Sequence, residues 1–161
     1  GEGVRVTLFV SGCRHGCKNC FNPEAWSFEY GQPFNQQIID NLLESLKPDF
    51  ISGLTLLGGE PFDPENQKGL LDFVKQVKAA YPNKNIWCFT GFLLDYELLG
   101  KSRANTPYMH ELLSYIDVLV DGRFVEELKD ITLRFRGSSN QRIIDVQKTL
   151  KENKIVLYNL K

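Results

Sequence analysis

Three of the four cysteines in this chain fall within eight residues, Cys13-Arg14-His15-Gly16-Cys17-Lys18-Asn19-Cys20, a C-x3-C-x2-C spacing. Three thiolates on so short a loop converge on one centre only if the loop folds around it. Gly12 and Gly16 supply the backbone freedom for that. Three ligands do not complete a closed structural zinc site, which needs four, but they suit a cubane iron–sulfur cluster that leaves one iron open. His15 is tight as a fourth ligand, being two residues from both Cys13 and Cys17. Cys88 stands in the apolar run Ile86-Trp87-Cys88-Phe89, where a cysteine behaves as a small buried hydrophobe. The spacing therefore leaves three readings, in this order: a cluster, a zinc site completed from elsewhere, and unrelated reduced thiols. A disulfide framework would spread and pair its cysteines, so the clustering favours a reducing, cytoplasmic compartment.

The elements that must position this loop follow from periodicity. Val4, Val6, Leu8 and Val10 alternate with Arg5, Thr7 and Phe9, a strand leading into the cysteines. Ile38, Ile39, Leu42, Leu43 and Leu46 recur at helical spacing, and Pro48 stops that helix. Leu54-Thr55-Leu56-Leu57 is a short strand ending at Gly58-Gly59. Asp63 is the expected cap of the next helix, with Pro64 at its first position and the apolar face Leu70, Val74, Val77, Tyr81. Residues 86–89 form a third strand closing at Thr90-Gly91. A helical stretch broken by Gly100 and Pro107 leads to a fourth strand, Val118-Leu119-Val120, ending at Asp121-Gly122. Ile131 to Phe135 and Ile143-Ile144 are shorter apolar pieces.

Alternating strands and helices imply an α/β fold of parallel strands joined by right-handed crossovers. The polar, glycine-rich loops all follow strands. In such folds ligands bind outside the carboxyl ends of the strands, so these loops are expected to share one site. The length does not reach a complete eight-stranded barrel, and an open or partial barrel is expected, as a single domain over residues 1–161.

Composition narrows the classes. The 161 residues hold 19 basic and 20 acidic side chains, a formal charge of −1, which argues against a dedicated nucleic-acid or acidic-membrane binder. No apolar run approaches the roughly 20 residues of a membrane span, and no secretory leader is expected. Gly1 opens the chain without a methionine, and a short native segment is expected before it.

The C-x3-C-x2-C loop after the first strand, with Gly58-Gly59-Glu60-Pro61 after the second, resembles the radical S-adenosylmethionine enzymes. That resemblance implies a partial (incomplete) parallel β/α barrel of the radical SAM type. It implies that Cys13, Cys17 and Cys20 ligate a [4Fe–4S] cluster whose open iron binds the amino and carboxylate groups of S-adenosylmethionine. The reduced cluster would cleave the sulfonium to methionine and a 5′-deoxyadenosyl radical. Gly58 and Gly59 let the backbone approach the methionine moiety, and Glu60 reinforces that contact or fixes the loop. Thr90 borders the cofactor. Many members carry an aromatic residue before the third cysteine. Here Asn19 stands there, leaving the backbone of Asn19, Cys20 and Phe21 to hold the adenine edge. No side chain need act as acid or base.

Further along, Phe21-Asn22-Pro23-Glu24-Ala25-Trp26, Asp121-Gly122-Arg123-Phe124 and Arg136-Gly137-Ser138-Ser139-Asn140-Gln141-Arg142 resemble the glycyl-radical activases of anaerobic (class III) ribonucleoside-triphosphate reductases. The likeness runs from Gly1 to about Asp145. It implies a protein substrate, the reductase large subunit, and hydrogen abstraction from one of its C-terminal glycines. A one-electron donor such as flavodoxin is also implied, and a homodimer is left open. The alternatives are activation of another glycyl-radical enzyme of the pyruvate formate-lyase type, and a non-catalytic zinc-binding interaction module. The 136–142 segment reads equally as a docking site for the partner's glycine loop, through Arg136 and Arg142, or as a turn held by its own polar side chains. Asp121 is read as a turn cap more than a cofactor contact, His110 as structural, and Trp26 and Trp87 as core or interface aromatics.

Overall fold

A computed structural model describes residues 1–18, 27–28 and 33–161. Its strands are β1 (Val4–Val10), β2 (Ile51–Gly58), β3 (Asn85–Phe89), β4 (Val118–Asp121) and β5 (Arg142–Asp145). They form one sheet in the order β1-β2-β3-β4-β5 that does not close on itself. The first four strands are parallel. β5 is antiparallel to β4, pairing Leu119 with Ile144 and Asp121 with Arg142. The all-parallel expectation fails at this edge for a topological reason. The stretch between β4 and β5 carries only a 3-10 turn, Glu126–Leu128, and no crossover helix to return the chain to the far end of the sheet.

The connecting helices are α1 (Gln36–Leu46), α2 (Pro64–Ala80), α3 (Met109–Ser114) and, after β5, α4 (Val146–Glu152). Sequential parallel neighbours joined by right-handed crossovers place the intervening helices on one face. The core reflects this. Ile39 and Leu46 of α1, Leu70, Phe73, Val74 and Val77 of α2 and Leu112 and Leu113 of α3 pack with Leu54, Leu56, Ile86, Cys88 and Leu119 of the sheet. Alternate residues point the other way, where Trp87, Val118, Val120 and Ile143 form a second cluster with Phe89, Phe135, Tyr158 and Leu160.

This second face is filled at its amino end and open at its carboxyl end. Arg5 donates to Thr55 Oγ1 (2.8 Å) and to the Leu54 carbonyl (2.7 Å), and Trp87 packs edge-on against Phe135 and Tyr158. Trp87 is thus a core aromatic, as expected, whereas Trp26 lies outside the described residues. Ile131 to Phe135 is a looped segment and not a strand. α1 is capped by the Asn35 side chain on the Ile38 amide. Asp63 holds the cap position of α2, but its side chain makes no capping bond. That buried carboxylate instead accepts from Arg103 Nε (2.7 Å). Among the described residues no helix is long and apolar enough to cross a membrane.

Candidate functional site

The loops after β1 and β2 are joined by backbone hydrogen bonds. The Gly59 amide donates to Val10 O (2.7 Å) and the Glu60 amide to Gly12 O (2.6 Å). Asn66 of α2 donates to Glu60 O (2.7 Å), and the Arg14 amide donates to the Asp63 carboxylate (3.2 Å). The Arg14 side chain pairs with Glu65 and lies over the Phe28 ring. Gly12 and Gly16 adopt φ of 96° and 61°, the left-handed turns expected of them. These bonds hold the first cysteine against the second turn.

Glu60 is the knot between three loops. Its side chain is 1% exposed. The carboxylate accepts from the Phe62 amide (2.8 Å), the Thr90 hydroxyl (2.8 Å), the Gly91 amide (2.6 Å) and His15 Nε2 (2.7 Å). Its side chain thus fixes the loop, one of the two roles expected for Glu60, and the residue also lines the cavity. Thr90 points its hydroxyl at Glu60 and accepts from the Phe92 amide. His15, weighed above only as a metal ligand, packs edge-on to Phe92 with ring centroids 4.6 Å apart. A Cβ on Gly91 would come within 2.6 Å of the imidazole, so glycine there is what lets His15 lie against the turn.

Above this knot lies a cavity of about 790 Å³ at the carboxyl ends of the parallel strands. Cys13 and Cys17 line it from the first loop. Gly58, Gly59 and Glu60 line it from the second, and Thr90 and Gly91 from the third. Cys20, Asn19 and Phe21 lie outside the described residues. Of the nine residues singled out at this site (Cys13, Cys17, Cys20, Asn19, Phe21, Gly58, Gly59, Glu60 and Thr90), six line this one cavity: Cys13, Cys17, Gly58, Gly59, Glu60 and Thr90. Cys88 does not join them: it is buried on the helix-covered face. Among the described residues no three His, Cys, Asp or Glu side chains form a ready metal set. His110 is exposed on α3, away from the cavity.

The cavity floor was not anticipated. Phe9, Leu57, Phe89 and Val120 form an apolar row across the second face of the sheet, with Phe9 opposite Leu57 and Phe89 opposite Val120. A signal existed: Phe9 is the one large apolar side chain on the Arg5-Thr7-Phe9 side of the first strand. Phe124, Ile131 and Phe135 add a wall from the segment between β4 and β5, and Ile131 is 90% exposed.

The 136–142 segment resolves as a turn. Gln141 Oε1 accepts from the Gly137 and Ser138 amides, Gln141 Nε2 donates to Gly122 O, and Asn140 donates to Arg123 O. Arg136 donates to the Gln141 carbonyl (2.6 Å). Arg142 is held by Asp121 and Asp95, so Asp121 is neither turn cap nor exposed to the cavity. It anchors an arginine and accepts from the Leu94 amide at the start of a π-helical turn, Leu94–Leu98.

Burial pushes the Cys13 thiol up to about 11. The Glu60 and Asp63 carboxylates act the same way, while the His15 backbone N–H donated to the sulfur opposes them. A metal bound there displaces a proton that the protein alone retains at neutral pH. Burial pushes Cys88 well above the usual thiol range.

Residues 1–144 match a family model described as a 4Fe-4S single cluster domain. Proteins named anaerobic ribonucleoside-triphosphate reductase-activating protein are similar along most of the chain. That of Haemophilus influenzae is 48% identical over 145 residues, covering 89% of this chain and 88% of its own. That of Escherichia coli K12 is 42% identical, covering 88% of each. That of Enterobacteria phage T4 is 39% identical, covering 89% of this chain and 85% of its own. No solved structure matches significantly.

Proposed function

This chain belongs to the family of anaerobic ribonucleoside-triphosphate reductase-activating proteins, and on that premise we propose that it is a radical S-adenosylmethionine activase of that reductase. The observation that carries the reading is one cavity lined by Cys13, Cys17 and the Gly58-Gly59-Glu60 turn, at the carboxyl ends of a mostly parallel sheet. Soft thiol donors suit an iron–sulfur cluster, and the 4Fe-4S family model agrees with that donor set. When bound, the cluster and S-adenosylmethionine would supply one-electron cleavage of the sulfonium and, through it, hydrogen abstraction from a glycine Cα of the reductase.

The chain's own residues hold and orient. Cys13, Cys17 and Cys20 are the cluster ligands of this reading. Gly58 and Gly59 offer backbone at the cofactor, with Asn19, Cys20 and Phe21 at its adenine edge. Glu60 and Thr90 border it, and their hydrogen bonds join the second and third turns. The apolar row Phe9, Leu57, Phe89 and Val120 excludes water from the floor, which protects a radical from quenching. In this reading the open, mostly parallel sheet serves as a partial barrel of the radical SAM type, within a single domain over residues 1–161. Its open edge leaves room for a protein segment. The electron comes from a flavodoxin-type donor in the cytoplasm.

The test is anaerobic reconstitution followed by an S-adenosylmethionine cleavage assay. Wild type is expected to bind about four iron and four sulfide and to release methionine and 5′-deoxyadenosine, and Cys17→Ala to do neither. Colourless protein holding one zinc would instead establish the interaction-module reading. Mixing with each partner separates the activases. A glycyl radical signal arising on pyruvate formate-lyase and not on the reductase overturns the choice of substrate.

A further inference from the structure

His15 stands between two cysteines of the loop, yet its side chain is 3% exposed and turned away from solvent onto Glu60. Because the Glu60 oxygen accepts, Nε2 carries the proton. Nδ1 is then buried without a partner among the described residues. On stability alone this is a poor place for an imidazole, since a buried polar atom left unmet is costly. An aliphatic side chain would keep the contact with Phe92 and remove the unmet nitrogen. What only a nitrogen donor at this position supplies is the bond to Glu60. This side-chain bond reaches from the cysteine loop to the carboxylate holding the turns after β2 and β3.

We propose that His15 is a positioning residue: through Nε2 it latches the cysteine loop onto Glu60, and so fixes the cluster ligands relative to the Gly58-Gly59-Glu60 turn that holds S-adenosylmethionine. The second half of this statement rests on the function proposed above, while the latch itself rests on geometry alone. The absent Cβ of Gly91 belongs to the same device, since it leaves the space the ring occupies. The Arg14 backbone bond to Asp63 fixes the loop beside Cys13, whereas His15 fixes it between Cys13 and Cys17.

Two variants separate the latch from simple packing. His15→Leu keeps apolar volume against Phe92 and removes the donor. His15→Gln replaces the ring but keeps an N–H of similar reach. In the metal-free protein, iodoacetamide labelling of Cys13 and Cys17 is read by mass spectrometry on the separate tryptic peptides that end at Arg14 and Lys18. His15→Leu is expected to label about fivefold faster, as a loop released from one buried bond opens more often, and His15→Gln at the wild-type rate. In reconstituted protein, S-adenosylmethionine is titrated against the electron paramagnetic resonance signal of the reduced cluster. There His15→Leu is expected to bind about tenfold more weakly and His15→Gln within about twofold of wild type.

Where wild type responds to S-adenosylmethionine, a His15→Leu protein equal to it in either measurement overturns the proposal, as does a His15→Gln protein as impaired as His15→Leu. If His15→Leu does not fold, as judged by circular dichroism, His15→Gln decides: labelling faster than wild type overturns the latch and wild-type labelling upholds it. A wild-type protein whose signal ignores S-adenosylmethionine refutes the proposed function, and the labelling result then judges the latch by itself.

Discussion

Arg142 Nη2 lies 2.6 Å from the buried Asp121 carboxylate, joining the last two strands of the sheet by a charge pair at paired positions. Asp121 also accepts from the Leu94 amide. Removing it strands a partly buried guanidinium and an unmet backbone donor together. Asp121→Ala is therefore expected to lower stability by about 3 kcal/mol, the usual cost of breaking a buried pair from one side. Urea unfolding of the metal-free protein measures this. A loss below about 1 kcal/mol would mean that the Asp95 contact to Arg142 suffices.

The two faces of the sheet predict opposite outcomes for two cysteines. Cys17→Ala removes a cavity-lining thiol and should abolish most bound iron at little cost to the fold. Cys88→Ala removes a fully buried sulfur from the helix-covered core and should lower stability by about 1–2 kcal/mol while leaving iron content at the wild-type value. Iron and sulfide analysis beside thermal melts checks both.

The raised Cys13 thiol makes its reactivity pH-dependent in a readable direction. In the folded, metal-free protein the thiolate fraction should grow about tenfold per pH unit to near 11, whereas an unperturbed thiol levels off near 8.5. Stability follows the same linkage. A thiol pKa raised by folding contributes stability that is complete below the unfolded value and is lost as pH rises through about 11. Alkylation rates of the peptide ending at Arg14, from pH 7 to 11, test it, and a plateau below pH 9 contradicts it.

At acid pH a different pair of contacts gives way. Burial tends to raise the Asp95 and Glu97 carboxyls, but the hydrogen bonds and charge of Arg142 and Arg123 outweigh it and hold both below the usual range. Carboxyls with depressed folded values contribute stability that is present above their unfolded pKa, near 4, and is lost as pH falls through the folded value. Arg123→Gln should therefore flatten the fall in stability below pH 4, while leaving the shape of the curve above pH 5 unchanged. Denaturation midpoints across that range decide it.

What could be read from the residues alone was local. Spacing on one loop brings Cys13 and Cys17 to one place whatever the fold. Glycines after strands mark the turns, alternation marks β1, and short apolar runs mark β2 to β4, because strands covered on both faces read as continuous apolar stretches. Cys88 was legible as core for the same reason. The family likeness was legible too, since it rests on short motifs in order.

Tertiary structure decided what depends on residues far apart in the chain. Asp63 has the sequence of a helix cap, but buried beside Arg103 it serves a stronger donor than the helix amides. Arg142 reads as a docking cation until Asp121 and Asp95 are seen on it. β5 reads as one more apolar strand, and only the missing crossover helix makes it antiparallel. Glu60 carried two roles in the sequence, and its loop-fixing role is made by two loops that approach it from 30 or more residues away, with Thr90, Gly91 and His15 meeting on its carboxylate. A buried charge takes whichever donors the fold delivers to it, and their identity is set by how the chain packs, not by its neighbours in sequence.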